Sequence, residues 1–330
     1  MKYSFSFVLL AAASVLCANS HRSFPVKEPE NKVALGEMLF HEKRLSKNNR
    51  ISCASCHIPE FAFADTVRFS IGADGLPGKR NTPTVMNVSV RPYFFYDGRV
   101  ATLEDQVSVP IEDHLEMNMQ FMEACKKVTE DSLYQVYFKK IYGSVPDAIN
   151  IRDAIAAFER SLETSDTPFD RWMNGDTAAM GPSAIRGREL FMDEPRTKCF
   201  SCHFSPDFTG DEFRNIGLYD GKNLTDAGRF EITGDSSDIG KFKTPGLRNI
   251  AVTPPYMHNG MFSTLREVLV YYNDPYKVVP EPVGMDSLML KPLGLSEEEL
   301  FDLESFLRAL TDDRFSSKVP AEAVPVIRKK

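Results

Sequence analysis

Two short motifs with the same spacing carry the clearest chemistry in this sequence. They read Cys-Ala-Ser-Cys-His at residues 53–57 and Cys-Phe-Ser-Cys-His at residues 199–203. Both follow the pattern Cys-x-x-Cys-His, through which a c-type haem is attached. The two thiols add across the vinyl groups of one porphyrin, and the adjacent histidine supplies an imidazole to the iron. The sequence therefore predicts two haem c groups, with these anchoring residues: Cys53, Cys56, His57, Cys199, Cys202 and His203.

A Cys-x-x-Cys pair has two other interpretations, a zinc site and a redox-active pair. A zinc site shared by the two pairs would leave each neighbouring histidine without an evident role. A thioredoxin-like redox pair has no use for that histidine and usually accompanies a βαβ pattern, which is not found here. The two-haem interpretation is therefore favoured.

The N-terminus has the form of a secretory signal peptide over residues 1–20. A basic residue, Lys2, precedes an apolar run at 5–16, and small residues follow at Ala18 and Ser20. We expect cleavage near Ser20 and a periplasmic protein, because c-type haem is attached outside the bacterial cytoplasm. Cys17 raises the alternative of a lipid anchor, although Leu16 before it is bulkier than such sites usually allow.

Length and composition suit a two-domain protein with a sizeable core. The chain has 330 residues, of which 42% are hydrophobic, and we expect domains at 21–165 and 166–330. The net charge of −7 argues against nucleic acid and leaves room for a basic protein partner. The remaining cysteine, Cys125, is expected to be a small core residue.

An internal repeat relates the two halves of the chain. Residues 82–107 align without gaps on residues 244–269, so that Thr82-Pro83 matches Thr244-Pro245 and Gly98 matches Gly260. Such self-similarity indicates two copies of one structural unit. The chain is therefore predicted to contain two versions of one haem-binding domain.

The hydrophobic periodicity predicts a mainly α fold: two tandem cytochrome c-like haem domains with long ordered loops and haems near the domain interface. Segments rich in Pro, Gly and Asn at 82–98 and 244–260 are expected to be loops. Ser296 and Glu299 form a potential capping box. Helices are predicted at 33–40, 133–141, 149–162, 184–191, 265–272 and 296–310.

Several further motifs resemble the bacterial di-haem cytochrome c peroxidase and MauG family. The resemblance covers nearly the whole chain after residue 20, in order. It rests on R-N-T-P-T-V at 80–85, F-F-Y-D-G-R at 94–99, L-E-D-Q at 103–106, P-I at 110–111, E-M at 116–117, T-P-G-L-R-N at 244–249 and P-Y-M-H-N-G at 255–260.

The resemblance implies a glutamine and a glutamate on the open face of the N-terminal haem, and Gln106 and Glu116 match these positions. A carboxylate there can move the proton between the two peroxide oxygens, while an amide orients the peroxide. Without the resemblance, Glu116 would be read as an exposed acid in a charged cluster.

One departure from the family pattern concerns the loop after the first haem motif. Members that need reductive activation carry Ile-Gly-His there, whereas this chain has Ile71-Gly72-Ala73. No histidine occurs between His57 and His114. We therefore expect the N-terminal haem to be open at rest.

The second departure concerns the sixth ligand of the C-terminal haem, which is methionine in the family's peroxidases and tyrosine in MauG. The aligned residue is Tyr272, with Tyr271, Met285 and Met289 as competitors. By the repeat, Tyr272 corresponds to Pro110, which cannot ligate iron. An alternative role for Tyr272 is a core-rim aromatic of an amphipathic helix.

The resemblance also implies an aromatic relay between the haems and one calcium ion. Tyr96 replaces the family's relay tryptophan, and the single tryptophan, Trp172, is expected to serve packing. The calcium would be bound by an asparagine side chain and two backbone carbonyls, and the matching residues are Asn81, Thr253 and Pro255.

Three functions remain open at this point. The first is an exported peroxidase that reduces hydrogen peroxide with electrons from a small redox protein such as a cytochrome c or copper protein. The second is a MauG-like oxidase that uses peroxide to oxidise residues of a partner protein. The third is a non-enzymatic di-haem electron carrier. For the oligomeric state, a homodimer is an alternative to a monomer.

Overall fold

The computed structural model describes residues 28–321, and the predicted signal peptide and Cys17 lie outside them. This part of the chain is mainly helical, as the periodicity predicts. One small antiparallel sheet pairs β1 (Phe213–Arg214) with β2 (Phe242–Lys243). The α-helices are α1 (Lys32–Phe40), α2 (Cys53–Cys56), α3 (Leu103–Glu112), α4 (Phe121–Thr129), α5 (Ser132–Tyr142), α6 (Ala148–Ser161), α7 (Pro168–Met173), α8 (Pro182–Met192), α9 (Phe230–Thr233), α10 (Leu265–Asn273) and α11 (Glu297–Arg308).

The first half is built on the crossing of α1 and α6. Asn31 caps α1 by accepting from the backbone of Ala34, and Asp147 opens α6 with a capping box. The helices touch at Gly36, where an added Cβ would lie 1.8 Å from the carbonyl oxygen of Ala154. Glycine at this position lets the two backbones approach closely, which fixes the frame around the first haem motif.

The second half repeats this crossing with α8 and α11. A Cβ added to Gly187 would lie 1.8 Å from the carbonyl oxygen of Asp302. The predicted capping box is present, since Ser296 and Glu299 bond to each other's backbone at the start of α11. The equivalent crossings in the two halves support the internal repeat at the level of backbone packing.

Five of these helices were not predicted: α2 and α9, which are four residues each, and α3, α4 and α7. In α3, Thr102 accepts from the backbone of Asp105 as an N-cap, but Pro110 interrupts the helical pattern near the other end. The helix α4 has two lysines in its last turn, and α7 is only six residues long, with Pro168 at its start. The segments at 82–98 and 244–260 are irregular as predicted, apart from a 3-10 turn at Ile250–Val252.

The two halves share a polar contact at Thr164. Its hydroxyl oxygen accepts from the side-chain amide of Asn87 at 2.9 Å and from that of Asn249 at 2.7 Å. These two asparagines are equivalent in the repeat, and both have positive φ, at 55° and 63°. The connection between the halves is therefore held by the same residue of each copy.

The C-terminal end of the described chain returns to the first half. After α11, a 3-10 helix at Asp313–Lys318 places Phe315 in the hydrophobic core formed by α1, α4 and α6. Arg314 donates to the carbonyl of Glu163 at 2.7 Å, and Lys318 lies over the ring of Phe61. The division of the chain at residue 165 stays a prediction, and this returning segment crosses it.

Residues 28–321 include no helix that is both long enough and apolar enough to cross a membrane.

Candidate active site

The first haem motif opens onto a cavity of about 800 Å³. Cys53, Cys56 and His57 line it together with Gln106 and Glu116, and Pro110 and Tyr96 also contribute to its wall. Cofactor cavities commonly measure about 300–1,000 Å³. The structure thus brings the predicted attachment residues and the predicted peroxide-facing residues to one space of suitable size.

His57 is oriented by a backbone carbonyl. Its Nδ1 lies 3.1 Å from the carbonyl oxygen of Phe63, which makes Nδ1 the protonated nitrogen and leaves Nε2 free to bind a metal. Burial lowers the pKa of His57 and favours the neutral imidazole that ligation requires. The geometry therefore suits a proximal ligand.

The second motif has the same arrangement. Nδ1 of His203 lies 2.8 Å from the carbonyl oxygen of Phe208, and burial lowers the pKa of His203. Phe63 and Phe208 both have a φ of 56°, an unusual value for a non-glycine residue. The positive φ at these two phenylalanines is shared by both copies of the unit.

The motif thiols are free, and neither pair forms a disulfide. In the described part of the chain, no three His, Cys, Asp or Glu side chains gather as a metal-binding group. The two Cys-x-x-Cys pairs consequently do not meet in the shared zinc site that was considered as an alternative. Each pair instead stays with its own histidine, as haem attachment requires.

Gln106 and Glu116 face the cavity from the side of α3 and the loop that follows it. The Oε1 atom of Gln106 is buried and has no hydrogen-bond partner within the described residues. Burial, followed by the negative charge of Asp113, raises the pKa of Glu116 to about 7, and the positive charge of Arg99 opposes this rise. An orphaned amide oxygen and a carboxyl that titrates near neutrality are suited to bind and transfer a proton.

The loop at 71–73 supports the backbone of Glu116. The backbone nitrogen of Ala73 donates to the carbonyl of Glu116 at 2.6 Å, and Asn48 donates to the carbonyl of Ala73 at 2.5 Å. A Cβ on Gly72 would lie 2.1 Å from the carbonyl oxygen of Leu115. This loop therefore packs against the backbone of Leu115 and Glu116, and it carries Ala73 rather than a histidine.

Tyr272 and Tyr271 point to different surroundings. Burial raises the pKa of Tyr272, and the nearby thiols of Cys202 and Cys199 add to that rise, which places the phenol near the second haem motif. The hydroxyl of Tyr271 instead donates to the carbonyl of Ile216 at 2.6 Å. Of the two tyrosines, Tyr272 is the one whose phenol lies near the thiols of the second attachment site.

The repeat gives Tyr272 and Pro110 equivalent positions. Each lies eight residues after a threonine N-cap, Thr264 in α10 and Thr102 in α3. The competitor Met285 lies beside Gly217 on the Tyr271 side, where its Sδ would be 2.7 Å from a Cβ added to that glycine. Met289 ends the 3-10 turn Ser287–Met289.

Tyr96 lies where the two halves meet. Its carbonyl accepts from the backbone of Lys243 in β2 at 2.7 Å, and burial raises the pKa of its phenol. Arg229 from the second half donates to the carbonyls of Asp97 and Gly98. Trp172, by contrast, packs on the second core with Arg188 over its ring.

The predicted calcium ligands come from two loops that touch. The backbone nitrogen of Asn81 donates to the carbonyl of His258 at 2.7 Å, close in sequence to Thr253 and Pro255. The side-chain amide nitrogen of Asn81 donates to the carbonyls of Val67 and Arg68. These two bonds do not use the amide oxygen of Asn81. An amide oxygen and backbone carbonyls are oxygen donors of the kind that calcium accepts, and calcium binding by Asn81, Thr253 and Pro255 stays a prediction.

Sequence comparisons relate this chain to proteins of one kind. A family profile described as "Di-haem cytochrome c peroxidase" matches residues 30–178. The chain is 35% identical over 291 residues to the methylamine utilization protein MauG of Methylorubrum extorquens, covering 88% of this chain and 80% of that protein. It is 35% identical over 320 residues to cytochrome c551 peroxidase of Nitrosomonas europaea, covering 94% and 90% respectively.

Solved structures agree with these relatives. A MauG-like protein associated with microbial copper homeostasis matches with a TM-score of 0.79 and 32% identity, covering 88% of this chain and 95% of that one. The diheme peroxidase BthA from Burkholderia thailandensis matches with a TM-score of 0.77 and 25% identity, covering 88% of each chain. This chain belongs to the di-haem cytochrome c peroxidase and MauG family, and it is an oxidoreductase of the peroxidase type.

Proposed function

We propose that the protein is an exported di-haem peroxidase that reduces hydrogen peroxide to water with electrons from a small redox protein. The observation that carries this proposal is that Gln106 and Glu116 line the same cavity as His57. The reaction consumes one peroxide, two protons and two electrons and releases two waters. Its site must therefore bind peroxide and also move protons.

Cys53 and Cys56 would form the thioether bonds of the first haem, and Nε2 of His57 would bind its iron. A haem held there would supply the iron chemistry that reduces peroxide. Pro110, which also lines this cavity, has no side-chain atom that could bind the iron. The amide of Gln106 orients the peroxide, and Glu116 takes a proton from its near oxygen and returns it to the departing oxygen.

Cys199, Cys202 and His203 would hold the second haem, and the phenol oxygen of Tyr272 would be a further iron ligand. A tyrosine phenolate favours the higher oxidation states of iron, so a haem held there would be suited to hold oxidising equivalents. Tyr96 is the aromatic group between the two sites. Support for this assignment comes from the closeness of Tyr272 to the thiols of Cys199 and Cys202 and from the position of Tyr96 where the halves meet.

A MauG-like oxidase, which would oxidise residues of a partner protein, is the second candidate. Ala73 and Tyr272 favour it, because both are departures from the reductively activated peroxidases. A non-enzymatic electron carrier is the weakest candidate, since it would need a side-chain ligand where Pro110 stands and would leave Gln106 and Glu116 without a role.

Spectroscopy of the resting ferric protein tests the haem assignments. We expect a high-spin signal from one haem and a low-spin signal from the other. Two low-spin haems would contradict both enzymatic candidates. Peroxide consumption with reduced cytochrome c as donor separates the other two: steady turnover supports the peroxidase, and its absence together with oxidation of a protein partner supports the MauG-like oxidase.

Export and calcium binding belong to the same proposal. We expect the mature protein to begin near residue 21 and to be recovered from the periplasm, which N-terminal sequencing of a fractionated extract measures. We also expect one calcium per chain at Asn81, Thr253 and Pro255. Metal analysis of the wild-type protein and of Asn81→Ala would contradict the site if both held the same calcium.

A further inference from the structure

The cavity beside the first haem motif contains a second carboxyl that the proposed chemistry does not use. Glu159 is in the last turn of α6, is only 4% exposed and lines the cavity together with Ile155. No hydrogen-bond donor among residues 28–321 reaches its carboxyl. The neighbouring Arg160 is turned away and forms a two-bond pair with Glu104, at 2.6 and 2.8 Å.

The elements packed around Glu159 bring no free cation to it. From α1, Lys32 pairs with Asp153 at 3.2 Å, on the exposed side of α6. From the segment after Phe94, Arg99 is bound by the buried Asp97 at 2.9 Å. The helix α3 carries three acids, and each has a partner elsewhere: Glu104 pairs with Arg160, Asp105 accepts from the hydroxyl of Thr102, and Glu112 accepts from the backbone of Phe121.

Two further ionisable groups lie on the cavity side. Among the charged neighbours of Cys53, Glu159 has the largest effect on the pKa of the thiol. The sulfur and the carboxyl are therefore close. The charge of Glu116 also raises the pKa of the Cys53 thiol, so both carboxyls lie near this haem-attachment residue. Once Cys53 is a thioether it carries no charge, and Glu116 can only repel a negative Glu159.

An unpaired carboxylate in such a place is costly, because burial without hydrogen bonds disfavours the charged form. Burial accordingly raises the pKa of Glu159 to about 8. A group that titrates so near neutral pH responds to any change of charge beside it. A haem held by Cys53, Cys56 and His57 would bring such a change of charge to this cavity, because its iron would gain and lose electrons.

We propose that Glu159 is a redox-linked proton site of the first haem cavity. Its carboxylate takes a proton from solvent when the iron accepts one electron from the donor protein, and it releases that proton when the electron leaves. Only the O–H bond of the carboxyl forms and breaks, and the net charge of the cavity stays constant. Peroxide reduction needs a proton for each electron, and Glu159 brings one to the haem edge that Glu116 shares.

The inference rests on the proposed attachment of haem at Cys53 and Cys56. Its test is the midpoint potential of the first haem, measured by spectroelectrochemistry from pH 6 to 9. One proton bound per electron lowers the potential by about 59 mV for each tenfold fall in proton concentration. Because Glu116 also titrates in this range, the measurement is made in the Glu116→Gln background, and the pH dependence that Glu159→Gln then removes is assigned to Glu159.

Glu159→Gln keeps the shape of the side chain and removes its titration, so it should abolish the remaining pH dependence. Glu163→Gln, at an exposed glutamate just beyond the same helix, is the matched control and should keep it. Infrared difference spectra of the control should show a carboxyl C=O band that appears on reduction. This band should be absent from the spectra of Glu159→Gln. An unchanged slope in Glu159→Gln overturns the proposal.

If Glu159→Gln does not fold, Glu159→Asp in the Glu116→Gln background takes its place, because it moves the carboxyl by one methylene and keeps its titration. It should shift both the pH at which the potential changes slope and the frequency of the carboxyl band, and values equal to those of Glu116→Gln overturn the proposal. A potential of the Glu116→Gln protein that is flat from pH 6 to 9 overturns it as well. A mass spectrum that shows no haem on Cys53 and Cys56 would instead contradict the proposed function. The two failures are therefore distinguishable.

Discussion

The pH dependence of peroxide activation should report the titration of Glu116. The carboxyl must be ionised to take the first proton from peroxide, and its pKa is raised to about 7. The ionised fraction is then about 0.09 at pH 6 and about 0.91 at pH 8, so kcat/KM for peroxide should rise about tenfold across this interval. A glutamate with its ordinary pKa would give almost no change above pH 6.

Substitutions test the cause of this pH limb. Glu116→Gln should lower kcat/KM by about 10²–10⁴-fold and should remove the limb with its midpoint near 7. Asp113→Asn removes a negative neighbour and should move the midpoint to lower pH. Arg99→Gln removes the opposing positive charge and should move it to higher pH. Glu123→Gln, at an exposed acid on α4, is the control and should leave both rate and midpoint unchanged.

Stopped-flow mixing of the active enzyme with peroxide, followed through the haem absorbance, measures these rates from pH 5 to 9. The reasoning is refuted if Glu116→Gln keeps both the rate and the limb of the wild-type protein. It is also refuted if Asp113→Asn and Arg99→Gln move the midpoint in the same direction, because their charges act on Glu116 with opposite signs.

Three further outcomes are expected. Gly187→Ala should cost about 3 kcal/mol of unfolding free energy in urea titrations, since its Cβ meets a backbone carbonyl at 1.8 Å; Gly181→Ala, with open space around its Cβ, should cost much less, and equal losses would argue against the helix crossing. Tyr272→Phe should change the low-spin haem spectrum, whereas Tyr271→Phe should not; the reverse result would assign the ligand to Tyr271. Thr164→Val should cost about 2 kcal/mol by depriving two buried amides of their acceptor, and Thr164→Ser should retain most of the stability.

Helices whose apolar spacing is uninterrupted were predictable from the sequence. Six predicted segments correspond to α1, α5, α6, α8, α10 and α11, and the capping box at Ser296 is present. The helix α3 was not predicted because Pro110, two residues before its last residue, lacks a backbone N–H donor. Its beginning did carry a signal: Thr102 is followed by two acidic residues, as is common in a first helical turn.

Parts of the site could be predicted, and others depend on the folded chain. The motif spacing indicated the attachment residues, and the family resemblance indicated Gln106 and Glu116. The carbonyls that orient the two histidines follow from a positive φ at Phe63 and Phe208, which side-chain identity does not encode. Glu159 carried a signal that was overlooked. It follows Ile155 by four positions, so the helical period already placed a carboxyl on the apolar face of α6.

The returning segment at Asp313–Lys318 bears on how the molecule comes apart. The two halves are joined covalently near Thr164 and again non-covalently through Phe315, which is buried in the first core. Asp312 accepts from the backbone of Ser165, which fastens the segment to the connection itself. Unfolding of one half therefore exposes apolar side chains of the other half to water. Heat or denaturant should melt the two halves in one cooperative transition, and removing the chain after residue 310 should separate that transition into two.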